Sequence, residues 1–264
     1  MTPLIVGNWK MHTDLSEAQV LAGQISRRAE DIQQIEVVLC PPAVFLYPVF
    51  EYLKARPRHL HLGLQNAMWK DEGQYTGEIS LEMVRGICRF VILGHSERRR
   101  IFSENDEMIN KKLNFALRAG FRPIVCVGEA ERFHLEDYYS RELNRMKKTD
   151  GILTQIDRAF ARIPVSALEK VAIAYEPLWA IGTSNAATGA YAAAICYIVK
   201  SHLEEKYGEA LQDIPVLYGG SVSPGNASEF VYQPSIDGLL VGGSSIKGKE
   251  FVRILEIASG VKNG

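Results

Sequence analysis

The segment Ala174-Tyr175-Glu176-Pro177-Leu178-Trp179-Ala180-Ile181-Gly182-Thr183 puts a carboxylate where a base would be useful. Residues 171–175 are short, apolar and partly β-branched, which reads as a buried strand. Pro177 stops that strand, because proline has no N–H for a ladder. Glu176 is thereby fixed at a strand end, ahead of an apolar, glycine-hinged loop. That is the arrangement of a proton-abstracting base beneath a lid. Taken alone, a solvated loop glutamate is the plainer reading, so the groups a base would work with must be sought elsewhere.

They stand at the ends of other short apolar runs. Gly7-Asn8-Trp9-Lys10-Met11 follows the first run. Lys10 is either an exposed turn residue or a fixed ammonium that draws in an anion and polarises an oxygen. Gly94-His95-Ser96-Glu97-Arg98-Arg99 follows the fourth run. Ser96-Glu97 can open a helix whose positive end would depress the His95 pKa and favour a neutral, hydrogen-bond-donating ring. A structural histidine beside a surface salt-bridge cluster is the alternative. Tyr218-Gly219-Gly220-Ser221-Val222 and Val241-Gly242-Gly243-Ser244-Ser245 follow the last two runs. Each is a plain turn signal, but glycines also let backbone N–H groups reach phosphate oxygens with no Cβ between. The Gly182 N–H could close the same cup. With no Walker or GxGxxG pattern, nucleotide binding has little support.

The elements that must position these residues follow a regular order. Apolar runs fall at 4–6, 37–40, 61–64, 90–93, 123–127, 171–175, 216–218 and 238–241. Helical i, i+3, i+4 spacing lies between them, in Leu15-Ala18-Leu21-Ala22-Ile25, in Met108-Leu113-Ala116-Leu117, and in 190–199 with Leu203. Asp14 and Ser80 are expected helix N-caps, and Gly120 an expected helix stop. Eight strand–helix units in 264 residues predict an α/β fold, a closed (β/α)8 barrel rather than an open doubly wound sheet. No linker or low-complexity tract divides residues 1–264, which predicts one domain. In such a barrel the chemistry comes from the C-terminal ends of different strands.

Composition narrows the partners. A formal net charge of −1 provides no basic field for nucleic acid, so an anionic ligand must be held by a local site. Cys40, Cys88, Cys126 and Cys196 form no CxxC pair, which suggests reduced, buried thiols rather than zinc or disulfides. The chain enters its first apolar run without a basic leader, and no apolar run approaches ~20 residues. A soluble, cytoplasmic protein without membrane contact is the expectation.

Taken together and in this order, these motifs resemble the triose-phosphate isomerase family. Gln65-Asn66, Tyr75-Thr76-Gly77-Glu78, Cys126-Val127-Gly128-Glu129 and residues 237–243 extend the likeness. The resemblance implies a TIM barrel that interconverts dihydroxyacetone phosphate and D-glyceraldehyde 3-phosphate, in glycolysis and gluconeogenesis, with no metal or organic cofactor. Glu176 would be the base, His95 the neutral electrophile and Lys10 the added positive charge. Asn8 would help to hold the polar cluster, and Glu97 would belong to the same network. Gly182, Ser221, Gly242 and Gly243 would grip the phosphate, with Asn8 and Lys10 also at the substrate. The lid would comprise Pro177, Leu178, Trp179, Ala180, Ile181, Gly182, Thr183, Ser184, Asn185, Ala186 and Ala187. Loop 66–78 resembles a dimer arm with Tyr75, Thr76, Gly77 and Glu78 at its tip. Thr76 would dock near Lys10 and His95 of a second copy, giving a homodimer.

The chain departs from the family pattern at Ser184-Asn185-Ala186-Ala187, where Gly-Lys-Thr-Ala is usual, and at His12, Gln74 and Leu178. The alternatives are an isomerase of a four-carbon keto-sugar phosphate, or a non-catalytic phosphate-binding protein on the same scaffold. The latter calls for lesions among Lys10, His95 and Glu176, and all three are intact.

Overall fold

Each of the eight apolar runs forms a strand in the computed structural model, which describes residues 1–132, 151–180 and 187–260. They are β1 (Leu4–Asn8), β2 (Glu36–Cys40), β3 (Leu60–Leu64), β4 (Phe90–Leu93), β5 (Arg122–Val127), β6 (Ala172–Tyr175), β7 (Val216–Tyr218) and β8 (Gly238–Val241). The strands pair in chain order and all in parallel, and β8 returns to β1 with Ile5 opposite Leu239, so the sheet closes. The outer layer is α1 (Leu15–Ala29), α2 (Ala43–Tyr52), α3 (Ser96–Ile101), α4 (Asp106–Arg118), α5 (Ile152–Phe160), α6 (Val165–Leu168), α7 (Gly189–Tyr207), α8 (Ala227–Val231) and α9 (Gly248–Ser259). The expected barrel is the observed one. No helix among the described residues is long and apolar enough to cross a membrane.

Local signals account for several helix ends. The Asp14 carboxylate accepts from the Glu17 N–H at 2.9 Å while Glu17 accepts from the Asp14 N–H at 2.9 Å, a reciprocal capping box. Gly120, at φ +83°, follows α4. Ser80 is different. Its hydroxyl accepts from the Glu82 N–H at 3.2 Å, but only a 3₁₀ turn, Glu82–Val84, follows. Arg85 leaves helical geometry with ψ at 129°, so the expected helix amounts to one turn.

Side-chain alternation divides the core in two. Leu4, Val6, Val38, Cys40, Phe90, Ile92, Ile124, Cys126, Ala172, Ala174, Leu217 and Leu240 form one buried cluster, which fills the barrel. Their neighbours along the strands, such as Ile5, Val37, Leu39, Val91, Val125, Ile173 and Leu239, belong to the cluster that packs against helices. The four cysteines are buried and free, as expected.

The N-terminal end of the barrel carries its own ion cluster. Arg122 Nη1 donates to both Glu36 oxygens at 2.7 and 2.8 Å, and its guanidinium lies over the Phe90 ring. His61 Nε2 lies 3.2 Å from Glu36 Oε1. Burial opposes the Glu36 charge, but His61 and Arg122 outweigh it and bring the carboxyl down to about 2. A depressed folded-state pKa contributes stability that is complete above the unfolded value of 4.5 and lost as pH falls towards 2. Thermal unfolding followed from neutral to acid pH should show the midpoint falling through that window. Glu36→Gln should lower the midpoint at neutral pH and flatten the acid slope; an unchanged slope would assign the acid sensitivity to other groups.

Candidate active site

Strand parity places the first two site residues. Asn8 continues the inward series Leu4, Val6, and Glu176 continues Ala172, Ala174, so both stand at the inner C-terminal rim. His95 would fall on the outer face if alternation continued past Ile92. Gly94 interrupts it with φ +69°, a conformation that costs a Cβ-bearing residue. The space is closed to a side chain as well, since a Cβ at Gly94 would lie 2.7 Å from Ile109. The result is a cavity of about 960 Å³ lined by Asn8, Lys10, His95, Glu97, Glu176, Leu178, Ser221, Gly242 and Gly243. Residues from the ends of five strands therefore meet in one place. Gly182, with Ile181, Thr183, Ser184, Asn185 and Ala186, lies outside the described residues.

Glu176 is 2% exposed, and both of its oxygens are occupied. Oε1 lies 3.0 Å from His95 Nε2, and Oε2 accepts from the Ser96 N–H at 2.8 Å. On the other side of the ring, His95 Nδ1 accepts from the Glu97 N–H at 3.2 Å. An amide N–H can only donate, so Nδ1 keeps its lone pair and the neutral ring carries its proton on Nε2, aimed at Glu176. The sequence leads one to expect a depressed imidazole pKa, and the contact with Glu176 corrects that. Burial does disfavour the charged ring, but the charge and hydrogen bond of Glu176 outweigh it, and the net displacement is upward.

Lys10 occupies a left-handed conformation, φ +51°, which a non-glycine residue adopts only when its surroundings hold it there. Its N–H donates to Asn8 Oδ1 at 3.1 Å, and its carbonyl accepts from Gln65 Nε2 at 2.8 Å. The ammonium donates to Glu97 Oε1 at 2.7 Å, which turns it towards the cavity rather than bulk solvent. Burial works against the Glu97 charge, but Lys10 prevails and holds that carboxyl below its usual range. Asn8, Lys10, Glu97 and His95 thus form the network the motifs suggested.

The two glycine segments also line the cavity. The 3₁₀ turn Gly243–Ile246 begins inside the second of them. A Cβ at Gly242 would come 3.3 Å from the Lys10 side chain, so glycine keeps the backbone and the ammonium close. Backbone amides and a cation brought together are what a phosphate requires.

The first part of the expected lid is anchored to Glu129. Its carbonyl accepts from the Leu178 N–H at 3.0 Å, and its carboxylate accepts from Tyr175 at 2.7 Å and Trp179 Nε1 at 2.8 Å. Burial pushes the Glu129 carboxyl up to about 7 against the pull of those donors. Ala180 N–H donates to Pro177 O at 2.9 Å, which closes the first lid turn. The expected arm, loop 66–78, is pinned at its base by Met68 N–H to Ile79 O at 2.8 Å. Tyr75, Thr76, Gly77 and Glu78 at its tip are exposed.

Three supporting residues escaped the sequence analysis. Arg99, read as part of a charged cluster, donates to Gly94 O at 2.8 Å, Asp106 at 2.6 Å and Cys126 O at 3.1 Å. It ties the ends of β4 and β5 together behind His95. Gln155 donates to Gly128 O at 2.8 Å and accepts from its N–H at 3.1 Å. That leaves Gly128 against the Glu176 carbonyl, where a Cβ would stand 1.8 Å from the oxygen. Glu129 lay within a motif but was given no task. Only the doublet Gly128-Glu129 at the end of an apolar run signalled its place.

Comparison with known proteins agrees with this geometry. The family described as triosephosphate isomerase matches residues 3–258. A protein named triosephosphate isomerase from Dehalococcoides mccartyi is 42% identical over 262 residues, 98% of each chain. One of the same name from Alkaliphilus oremlandii is 42% identical over 96% of this chain and 98% of its own. Another, from Chloroflexus aurantiacus, is 41% identical over the same shares. With the closed barrel and the His95–Glu176 rim already in view, these matches show that the chain belongs to the triosephosphate isomerase family.

Proposed function

We propose that this chain is an aldose–ketose isomerase that interconverts dihydroxyacetone phosphate and D-glyceraldehyde 3-phosphate, as one barrel domain acting in the cytoplasm within glycolysis and gluconeogenesis. The observation that carries the mechanism is the 3.0 Å contact between His95 Nε2 and Glu176 Oε1 in a cavity also lined by glycine-rich backbone. Substrate brings a carbonyl oxygen to Nε2–H and displaces the carboxylate from it. Glu176 is then free to take the proton from the carbon beside the carbonyl. The C–H electron pair becomes the carbon–carbon double bond of an enediolate, and the carbonyl pair becomes negative charge on oxygen. His95 Nε2–H and the Lys10 ammonium meet that charge as it develops. His95 Nε2 gives a proton to the former carbonyl oxygen and takes the hydroxyl proton from the neighbouring oxygen, and the carbon proton returns from Glu176 to the former carbonyl carbon as the new carbonyl forms beside it.

In this mechanism His95 acts as a neutral donor, its Nδ1 accepting from the Glu97 N–H and its proton on Nε2. Ser221, Gly242 and Gly243, with Gly182, hold the phosphate, and residues 177–187 close over it to exclude water.

The working particle is a homodimer. A groove of about 610 Å³ runs from Lys10 and His95 past Gly77, Glu78, Ile101 and Phe102. Met11, Ile101 and Phe102 stand 60–94% exposed along it, an apolar patch suited to the arm of a second copy.

A coupled assay should detect turnover of triose phosphate well above that of a four-carbon keto-sugar phosphate; negligible triose turnover would refute the reading. Glu176→Asp retracts the carboxylate by about 1 Å and should cost on the order of 100-fold in kcat with a normal fold. His95→Ala should cost about 10²–10³-fold, and a near-normal rate would remove its assigned role. Light scattering should give twice the chain mass, whereas a monomer at micromolar concentration would contradict the arm assignment.

A further inference from the structure

Asn226 occupies the N-cap position of α8, where an asparagine side chain ordinarily accepts from the helix's own first-turn amides. Here it makes no such bond. The side chain turns back instead. Oδ1 accepts from the Ser223 N–H at 2.8 Å and from the Ser223 hydroxyl at 3.3 Å, and Nδ2 donates to Ser221 O at 3.1 Å. Main-chain bonds from Asn226 N–H and Ala227 N–H to Ser223 O, at 3.2 and 3.0 Å, close the same turn. Ser221, Ser223 and Asn226 all line the cavity, on its glycine-rich side.

We infer that Asn226 is a positioning residue for the phosphate end of the substrate, setting the conformation of residues 221–223 rather than touching the reacting atoms. This rests on the assignment of that wall as the phosphate cup. Only a primary amide can do the job, because one end must accept from an N–H while the other donates to a carbonyl. Binding the Ser221 carbonyl to Nδ2 keeps an electronegative oxygen engaged within the loop, so the anion meets donors rather than acceptors. Forgoing the helix cap fits the small size of α8, five residues with little to gain from it.

The readout that separates positioning from bulk stability is the phosphate itself. Wild type, Asn226→Ala and Asn226→Asp should be compared on D-glyceraldehyde 3-phosphate and on unphosphorylated D-glyceraldehyde, with inorganic phosphate as competitor. Asn226→Ala should lower kcat/KM for the phosphorylated substrate and weaken inorganic phosphate about tenfold, with D-glyceraldehyde turnover unchanged within about twofold. Asn226→Asp keeps the acceptor and the shape but opposes one carboxylate oxygen to the Ser221 carbonyl, so it should lose at least as much. It also supplies the test should the alanine variant fail to fold. Equal losses on both substrates, or unchanged phosphate inhibition in both variants, would overturn the inference. A wild-type protein indifferent to the phosphate group would overturn the cup itself, a result distinct from either.

Discussion

A carboxylate that is 2% exposed cannot remain charged without partners, and that requirement on Glu176 organises the C-terminal face of the barrel. Its two oxygens are met by groups from the end of β4, the His95 ring and the Ser96 N–H. Those groups are in reach because Gly94 turns the chain inward after β4, and because Gly128 lets the Glu176 backbone lie against the end of β5. Arg99 and Gln155 hold the two glycine corners in place. Three adjacent strands thus converge on one buried charge, and the closed parallel sheet keeps their register.

The same contact defines what substrate must do. Glu176 and His95 satisfy each other, which stabilises the buried carboxylate. On the proposed mechanism, a carbonyl for Nε2 and an acidic C–H for the carboxylate replace that one pairing with two, and a phosphate held by the glycine segments fixes the distance between them. Lys10, held at positive φ and paired with Glu97, contributes a charge whose position is set before binding. Little reorganisation is then left for the reaction step.

The barrel and the reacting groups were legible because both are local patterns. Short apolar runs marked every strand to within two residues, and Glu176, His95, Lys10 and the glycine pairs each directly follow one. What could not be read depended on distant contacts. The upward shift of His95 comes from a carboxylate 81 positions away, and a helix-end argument confined to residues 95–97 points the other way. Arg99 looked like one of several surface charges, yet its hydrogen bonds run to two strand ends. Ser80 behaves as a cap for a turn that tertiary packing does not extend. Propensity and motif identify such residues, but only the fold assigns their partners.

On this reading His95 presents a proton on Nε2 to Glu176 and to substrate, because a backbone amide occupies Nδ1. Nitrogen-15 NMR of the labelled imidazole, at alkaline pH where the ring is uncharged, tests this directly. The expected result is an unprotonated Nδ1 and a proton on Nε2. A proton on Nδ1 would contradict it, since the ring would then face the reacting atoms with a lone pair and could not polarise a carbonyl.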